Sequence, residues 1–227
     1  MVPRAGHERG LSSTAHVRAA TELKLVPPFR FATVCCATRV PGSGLGKGAE
    51  ASAGAAGAGA APGEPLEATH ECDETVYRGA YPSVRNLLFL KTLRLRTVVS
   101  LVKGGVAGVT VDLREFCAHE HICHVVVDLD GNKLPSLRAL ARLLSLLVDK
   151  RRLPAYLHCA EGGVSTGVLV MCLRVVQQWS IESALAEYCR YVKEPGSSER
   201  ALLSSFSPEF VELPEPRALA PSWLITA

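Results

Sequence analysis

The sequence predicts a single α/β domain, a mostly parallel sheet flanked by helices. Three observations lead there. Apolar runs of strand length alternate with stretches whose leucines recur at helical spacing. Hydrophobic residues make up 48% of the 227 positions and mean hydropathy is +0.17, enough to bury a core. No apolar run approaches the roughly 20 residues of a membrane span. The 25 basic and 22 acidic residues leave a net charge of +3, with no sign of a nucleic-acid binder.

Residues 1–24 read as a polar leader and 25–213 as the domain, with 214–227 a tail. Val26 to Val34 (VPPFRFATV) reads as an edge strand entered through a proline pair. Residues 41–74 form a low-complexity insertion. Between Ala49 and Ala61, eight of thirteen residues are Ala and three are Gly, and each Gly costs nearly 1 kcal/mol in a helix. The insertion is expected to be disordered and dispensable. The chain before it is too short to fold alone, so it interrupts one domain. The edge strand is expected to pair with Val76 to Arg78 across it.

Order resumes at Thr75 to Pro82. Leu87, Leu88, Leu90 and Leu93 recur at helical spacing, and Thr97 to Val102 is a buried strand. Val109 to His119 can form a helix, and Ile122 to Leu129 a second strand. Pro135 opens a helix striped by Leu137, Leu140, Leu143, Leu144, Leu147 and Val148. Ala155 to Cys159 is a third strand ending in a glycine turn. Helices follow at Val168 to Gln178, Ile181 to Val192 and Arg200 to Phe206.

Eight cysteines, with no CxxC pair, fall short of a disulfide scaffold. Cys117, Cys123, Cys172 and Cys189 sit in apolar patterns, where a free thiol behaves as a small hydrophobe. A reducing, cytoplasmic setting is expected. Arg4, Arg9, Arg18, Lys24 and Arg30, with Ser12, Ser13 and Thr14, give an organelle transit peptide as the alternative, interrupted by Glu8 and Glu22.

In parallel sheets ligands bind beyond the carboxyl ends of the strands. The third strand delivers His158 and Cys159 there, followed by Ala160-Glu-Gly-Gly-Val-Ser-Thr-Gly167 and a helix. Successive backbone N–H groups at such a turn can cradle an anion, and the helix dipole adds positive potential. The same field favours a thiolate over a thiol. The alternative is a buried structural cysteine before an ordinary turn. His119, His121, Cys123 and His124 are zinc-type ligands at poor spacing, so no metal or other cofactor is expected.

His158-Cys159, five residues, then Ser165-Thr166-Gly167 resembles the phosphate loop of cysteine-dependent phosphatases. The chain as a whole is similar to the plant and fungal atypical dual-specificity phosphatases. The matching pieces are VPPFRFATV at 26–34, VYRGAYPS at 76–83, FLKTLRLRTVVSL at 89–101, GNKLP at 131–135, YLHC at 156–159 and STGVLVMCLRVVQQW at 165–179, with EYCRYV at 187–192 and RALLSSF at 200–206.

The resemblance implies a cysteine-phosphatase fold with Cys159 as nucleophile and His158 ordering the loop. Gly162, Gly163, Ser165, Thr166, Gly167 and Lys133 would surround a phosphate, with the Thr166 hydroxyl assisting thiolate departure. Asp128 or Asp130 would be the general acid; the rival reading makes both surface carboxylates, one capping a turn. The family's loop carries Arg where this chain has Ser165, and basic residues where it has Ala160 to Val164, one of them Glu161. Leu203 stands where the family has an acid. Ser cannot reproduce a bidentate arginine fork.

These departures point to a pseudophosphatase that binds a protein partner or a phosphorylated ligand. The alternatives are an active phosphatase on phosphotyrosine or inositol-phosphate-like substrates, with Lys133 or Arg78 replacing the arginine, and a purely structural subunit.

Overall fold

The computed structural model describes residues 25–36, 74–129 and 134–224. The expected leader, nearly all of the insertion, and the loop holding Asp130 and Lys133 lie outside them. Five strands form one sheet in the order β1-β2-β5-β3-β4. They are β1 (Ala32–Cys35), β2 (Val76–Ala80), β3 (Thr97–Val102), β4 (Cys123–Asp128) and β5 (Ala155–Cys159). β1 runs antiparallel to β2, and every other pair is parallel. The expected pairing across the insertion is present, with Ala32 opposite Arg78 and Thr33 opposite Tyr77.

Alternation along the strands builds a core on each face. Val99 and Leu101 of β3 and Leu157 of β5 join the larger cluster, under α3 (Leu137–Leu147) and α4 (Val164–Val176). Val98, Val102 and Tyr156 join the smaller one, under α1 (Val84–Thr92) and α2 (Val111–His119). β3 is buried at all six positions, as a strand covered on both faces should be. α5 (Ile181–Cys189) and α6 (Ser197–Ser205) pack outside α4.

Four expectations need correcting. The edge strand is Ala32–Cys35 and not Val26 to Val34. Asn86 ties the carbonyls of Val26 and Pro27 to α1 at 3.1 Å each, and Arg30 takes a left-handed φ of 56°, which breaks the extended run. α4 starts at Val164, four residues earlier than expected, so Ser165, Thr166 and Gly167 belong to its first turn. Cys123 and Cys189 are exposed, unlike the buried Cys117 and Cys172. The stretch expected as a tail packs inward, with Leu224 only 7% exposed.

Candidate functional site

β2, β3, β4 and β5 end at one edge of the sheet, at Ala80, Val102, Asp128 and Cys159. A cavity of about 520 Å³ opens there. Cys159, Ala160, Glu161 and Ser165 line it from the loop side. Tyr81, Leu101, Val102, Leu129 and Val164 make its walls mainly apolar. Among the described residues its charged side chains are Lys103 and Glu161.

Cys159 is 6% exposed. Behind it, His158 is fully buried between the rings of Tyr81 and Tyr156, at 5.0 and 5.6 Å. Ser100 Oγ lies 2.7 Å from Nε2 of both His158 and His124. One hydroxyl can donate to one ring and accept from the other, so it links β3, β4 and β5 beneath the loop. Burial, with His124 adding to it, pushes the His158 pKa down to about 3, so the imidazole is neutral. His158 Nδ1 and Thr166 Oγ1 are buried without a hydrogen-bond partner among the described residues.

The loop is held from outside through its carbonyls. The Tyr81 N–H donates to the Ala160 carbonyl at 3.3 Å. Arg30 Nη1 donates to the Glu161 carbonyl at 3.3 Å, and Arg78 Nη2 to the Gly162 carbonyl at 2.8 Å. Gly163 hands over to the helix, its carbonyl accepting the Gly167 N–H at 2.7 Å. Arg78 is 1% exposed and stacks on Tyr191 at 3.7 Å, with Nε and Nη1 lacking a hydrogen-bond partner among the described residues. It lies under the loop and is not among the residues lining the cavity.

Of the residues singled out from sequence, the structure gathers Cys159, His158, Gly162, Gly163, Ser165, Thr166 and Gly167 around one turn. Ser165 is 6% exposed in the first turn of α4. Asp128 ends β4, where its carboxylate accepts the Gly104 N–H at 3.1 Å and braces the turn after β3. His119 pairs with Glu120 at 3.0 Å, and His124 with Ser100. Sequence reasoning missed Arg30, Tyr81, Ser100 and Lys103. The carboxyl-end rule could have found Lys103, which follows β3 directly. Nothing local marks Arg30, whose role comes from the β1–β2 pairing.

The family model described as "Tyrosine phosphatase family" matches residues 67–225. Among curated proteins, the putative tyrosine-protein phosphatase OCA6 of Saccharomyces cerevisiae is 29% identical over 151 residues, covering 59% of this chain and 66% of that protein. The inositol diphosphatase DSP1 of Oryza sativa subsp. japonica is 33% identical over 123 residues, covering 52% of this chain and 54% of that one. The chain thus spans between about half and two thirds of the length of these relatives. Among solved structures, the core catalytic domain of the PP-IP phosphatase SIW14 from S. cerevisiae, in complex with citrate, superposes with a TM-score of 0.58. It is 20% identical, and the match covers 81% of this chain and 89% of that one. At that identity the likeness speaks for the fold alone. A cysteine at the carboxyl edge of a parallel sheet, a glycine turn into a buried helix and a family match over most of the chain agree, and this protein belongs to the tyrosine phosphatase family.

Proposed function

We propose that this protein is a catalytically impaired member of the family, which uses the loop at Cys159 to bind a phosphorylated ligand or a partner bearing one. The observation that carries this reading is the charge around the cavity. Ser165 stands at the position the family fills with arginine, and the charged side chains lining the described cavity, Lys103 and Glu161, offset each other. The N-terminus of α4 then offers about half a unit of positive charge to a phosphate dianion. Losing an arginine clamp on phosphoryl transfer costs about 10³ to 10⁵ in rate. Asp128, engaged with the Gly104 N–H, favours the turn-capping role over general acid.

Turnover of p-nitrophenyl phosphate and phosphotyrosine peptides tests the reading. The unmodified protein should show none above background, and Cys159→Ser should change nothing. Ser165→Arg combined with Glu161→Lys should raise activity that Cys159→Ser then removes. Gly163→Lys, the family-like third step, would displace Arg30, because a Cβ at Gly163 would sit 2.7 Å from Arg30 Nη1, the movable end of that side chain. Cys159-dependent turnover by the unmodified protein sinks the reading.

A second reading is an active phosphatase on inositol-phosphate-like substrates. It is favoured by Lys103 in the cavity and by relatives named inositol diphosphatases. Arg78 does not serve it directly, because its guanidinium lies under the loop against Gly162 and Tyr191.

A further inference from the structure

Three successive carbonyls of the loop, those of Ala160, Glu161 and Gly162, are each taken by a donor from the N-terminal half of the chain. The donors are the Tyr81 N–H, Arg30 and Arg78. In a planar trans peptide the N–H points opposite to the C=O it shares a plane with. The peptide units here are trans, the cis bonds of the described residues being Leu153–Pro154 and Glu215–Pro216. Capturing these carbonyls therefore turns the N–H groups of Glu161, Gly162 and Gly163 the other way. The Gly162 and Gly163 amides therefore face away from the arginines that hold the carbonyls of the same peptide planes, and neither guanidinium lines the cavity. Gly162 adds a left-handed φ of 66°, the alternation that makes consecutive amides converge into an anion nest.

We propose that Arg30 and Arg78 are positioning residues for the loop, which aim its amides at a ligand by holding its carbonyls from behind. The chain would place its arginines outside the loop, in the turn before β1 and in β2, rather than within it. What the loop then offers is directed main-chain donors with little net charge. The chemistry this fits is a single oxyanion head, such as one phosphoryl group, and not a cluster of phosphates needing several cations. The proposal rests on the reading that the loop binds such a head. The N-terminal segment before β1 becomes part of the binding site, although it touches no ligand. The buried guanidinium of Arg78, whose Nε and Nη1 have no hydrogen-bond partner among the described residues, keeps the local potential positive beneath the same turn.

The test uses the full chain and inorganic phosphate as probe. Cys159 is alkylated with iodoacetamide, and its peptide followed by mass spectrometry with and without phosphate. The exposed Cys36, Cys123 and Cys189 serve as internal controls. Phosphate should protect Cys159 and none of the controls. Arg30→Met, at a half-exposed turn position, should weaken protection by about tenfold, the effect of one lost charge-assisted bond. Arg30→Lys, which keeps a donor, should recover part of it. Gly163→Ala reaches the same end without touching β1, because the added methyl displaces Arg30 Nη1. The loss should persist in about 0.5 M KCl, where a bare long-range charge effect is screened. Folded Arg30→Met and Gly163→Ala proteins that keep wild-type protection overturn the proposal, as does a difference that vanishes in salt. An unmodified protein that phosphate does not protect also overturns it, while leaving impaired catalysis, which turnover alone decides, standing.

Discussion

At Gly162 the backbone has φ +66°, and a Cβ there would strike the backbone of Gly79 and Ala80. Strand and loop touch main chain to main chain, which is how Arg78 reaches the Gly162 carbonyl. Gly162→Ala should therefore cost about 1–3 kcal/mol from the backbone strain alone, with the clash adding to it. A urea unfolding midpoint no different from wild type would show that the turn relaxes. His158 makes a second prediction, on pH. Its folded pKa lies below its unfolded value, so the unfolded chain binds the extra proton. The stability from keeping it neutral is complete above about pH 6.5 and drains as pH falls toward 3. Between pH 6.5 and 5 this amounts to about 2 kcal/mol. His124, lowered by burial, works in the same direction. Unfolding midpoints at pH 7 and pH 5 should separate for the wild type and separate clearly less for His158→Gln, the remainder coming from His124. Equal separations in both proteins would remove His158 as the cause.

One side chain ties the helix that carries the loop to both α5 and β1. Arg174 of α4 binds Glu187 of α5 through two nitrogens at 2.6 and 2.7 Å, and the Val34 carbonyl of β1 at 2.8 Å. Its guanidinium also lies 4.4 Å from the Trp179 ring. Arg174 is 6% exposed, so removing its partner strands a buried cation. Glu187→Ala should cost about 3–5 kcal/mol, the range for breaking a buried pair. In a double-mutant cycle, Arg174→Met should cost much less in the Glu187→Ala background than alone; additive losses would mean the pair is not coupled. Most of these elements were legible in the sequence, for physical reasons. β3 and β5 stand out because burial on both faces favours mainly apolar runs, and α3 because its leucine stripe faces one core. The start of α4 did not, because Val164-Ser-Thr-Gly167 has the composition of a turn. Tertiary packing makes it helical, with Gly167 pressed on the Tyr188 ring. The loop's chemistry was legible as far as Cys159 and its glycines. Its supports were not, because Arg30 and Tyr81 reach it only through strand pairing.

Across the whole molecule, the loop and the chain's last described segment occupy opposite ends of the sheet. Glu74, just before β2, accepts the Ser222 N–H at 2.6 Å and the Ser222 hydroxyl at 2.7 Å, and pairs with Lys150 at 3.0 Å. Trp223 Nε1 donates to the Glu74 carbonyl at 2.6 Å, and Leu224 is buried in the larger core. The five residues of β2 separate this junction from the loop by roughly 17 Å, at about 3.3 Å per residue. Truncation after Leu213 would expose the Leu224 contact surface, worth about 2 kcal/mol, and remove four hydrogen bonds worth about 1 kcal/mol each, the fourth from Gln177 Nε2 to the Trp223 carbonyl. For a domain of this size that lowers Tm by on the order of 10 °C. Because none of the described residues removed bonds to Arg30, Arg78 or the loop, protection of Cys159 by phosphate at 20 °C should stay at the wild-type level. Thermal melts and the alkylation assay on the same truncated protein decide this. A Tm left unchanged would show the segment to be loosely docked. Lost protection in a protein still folded would show that strain at the far end of β2 travels along the strand to the loop.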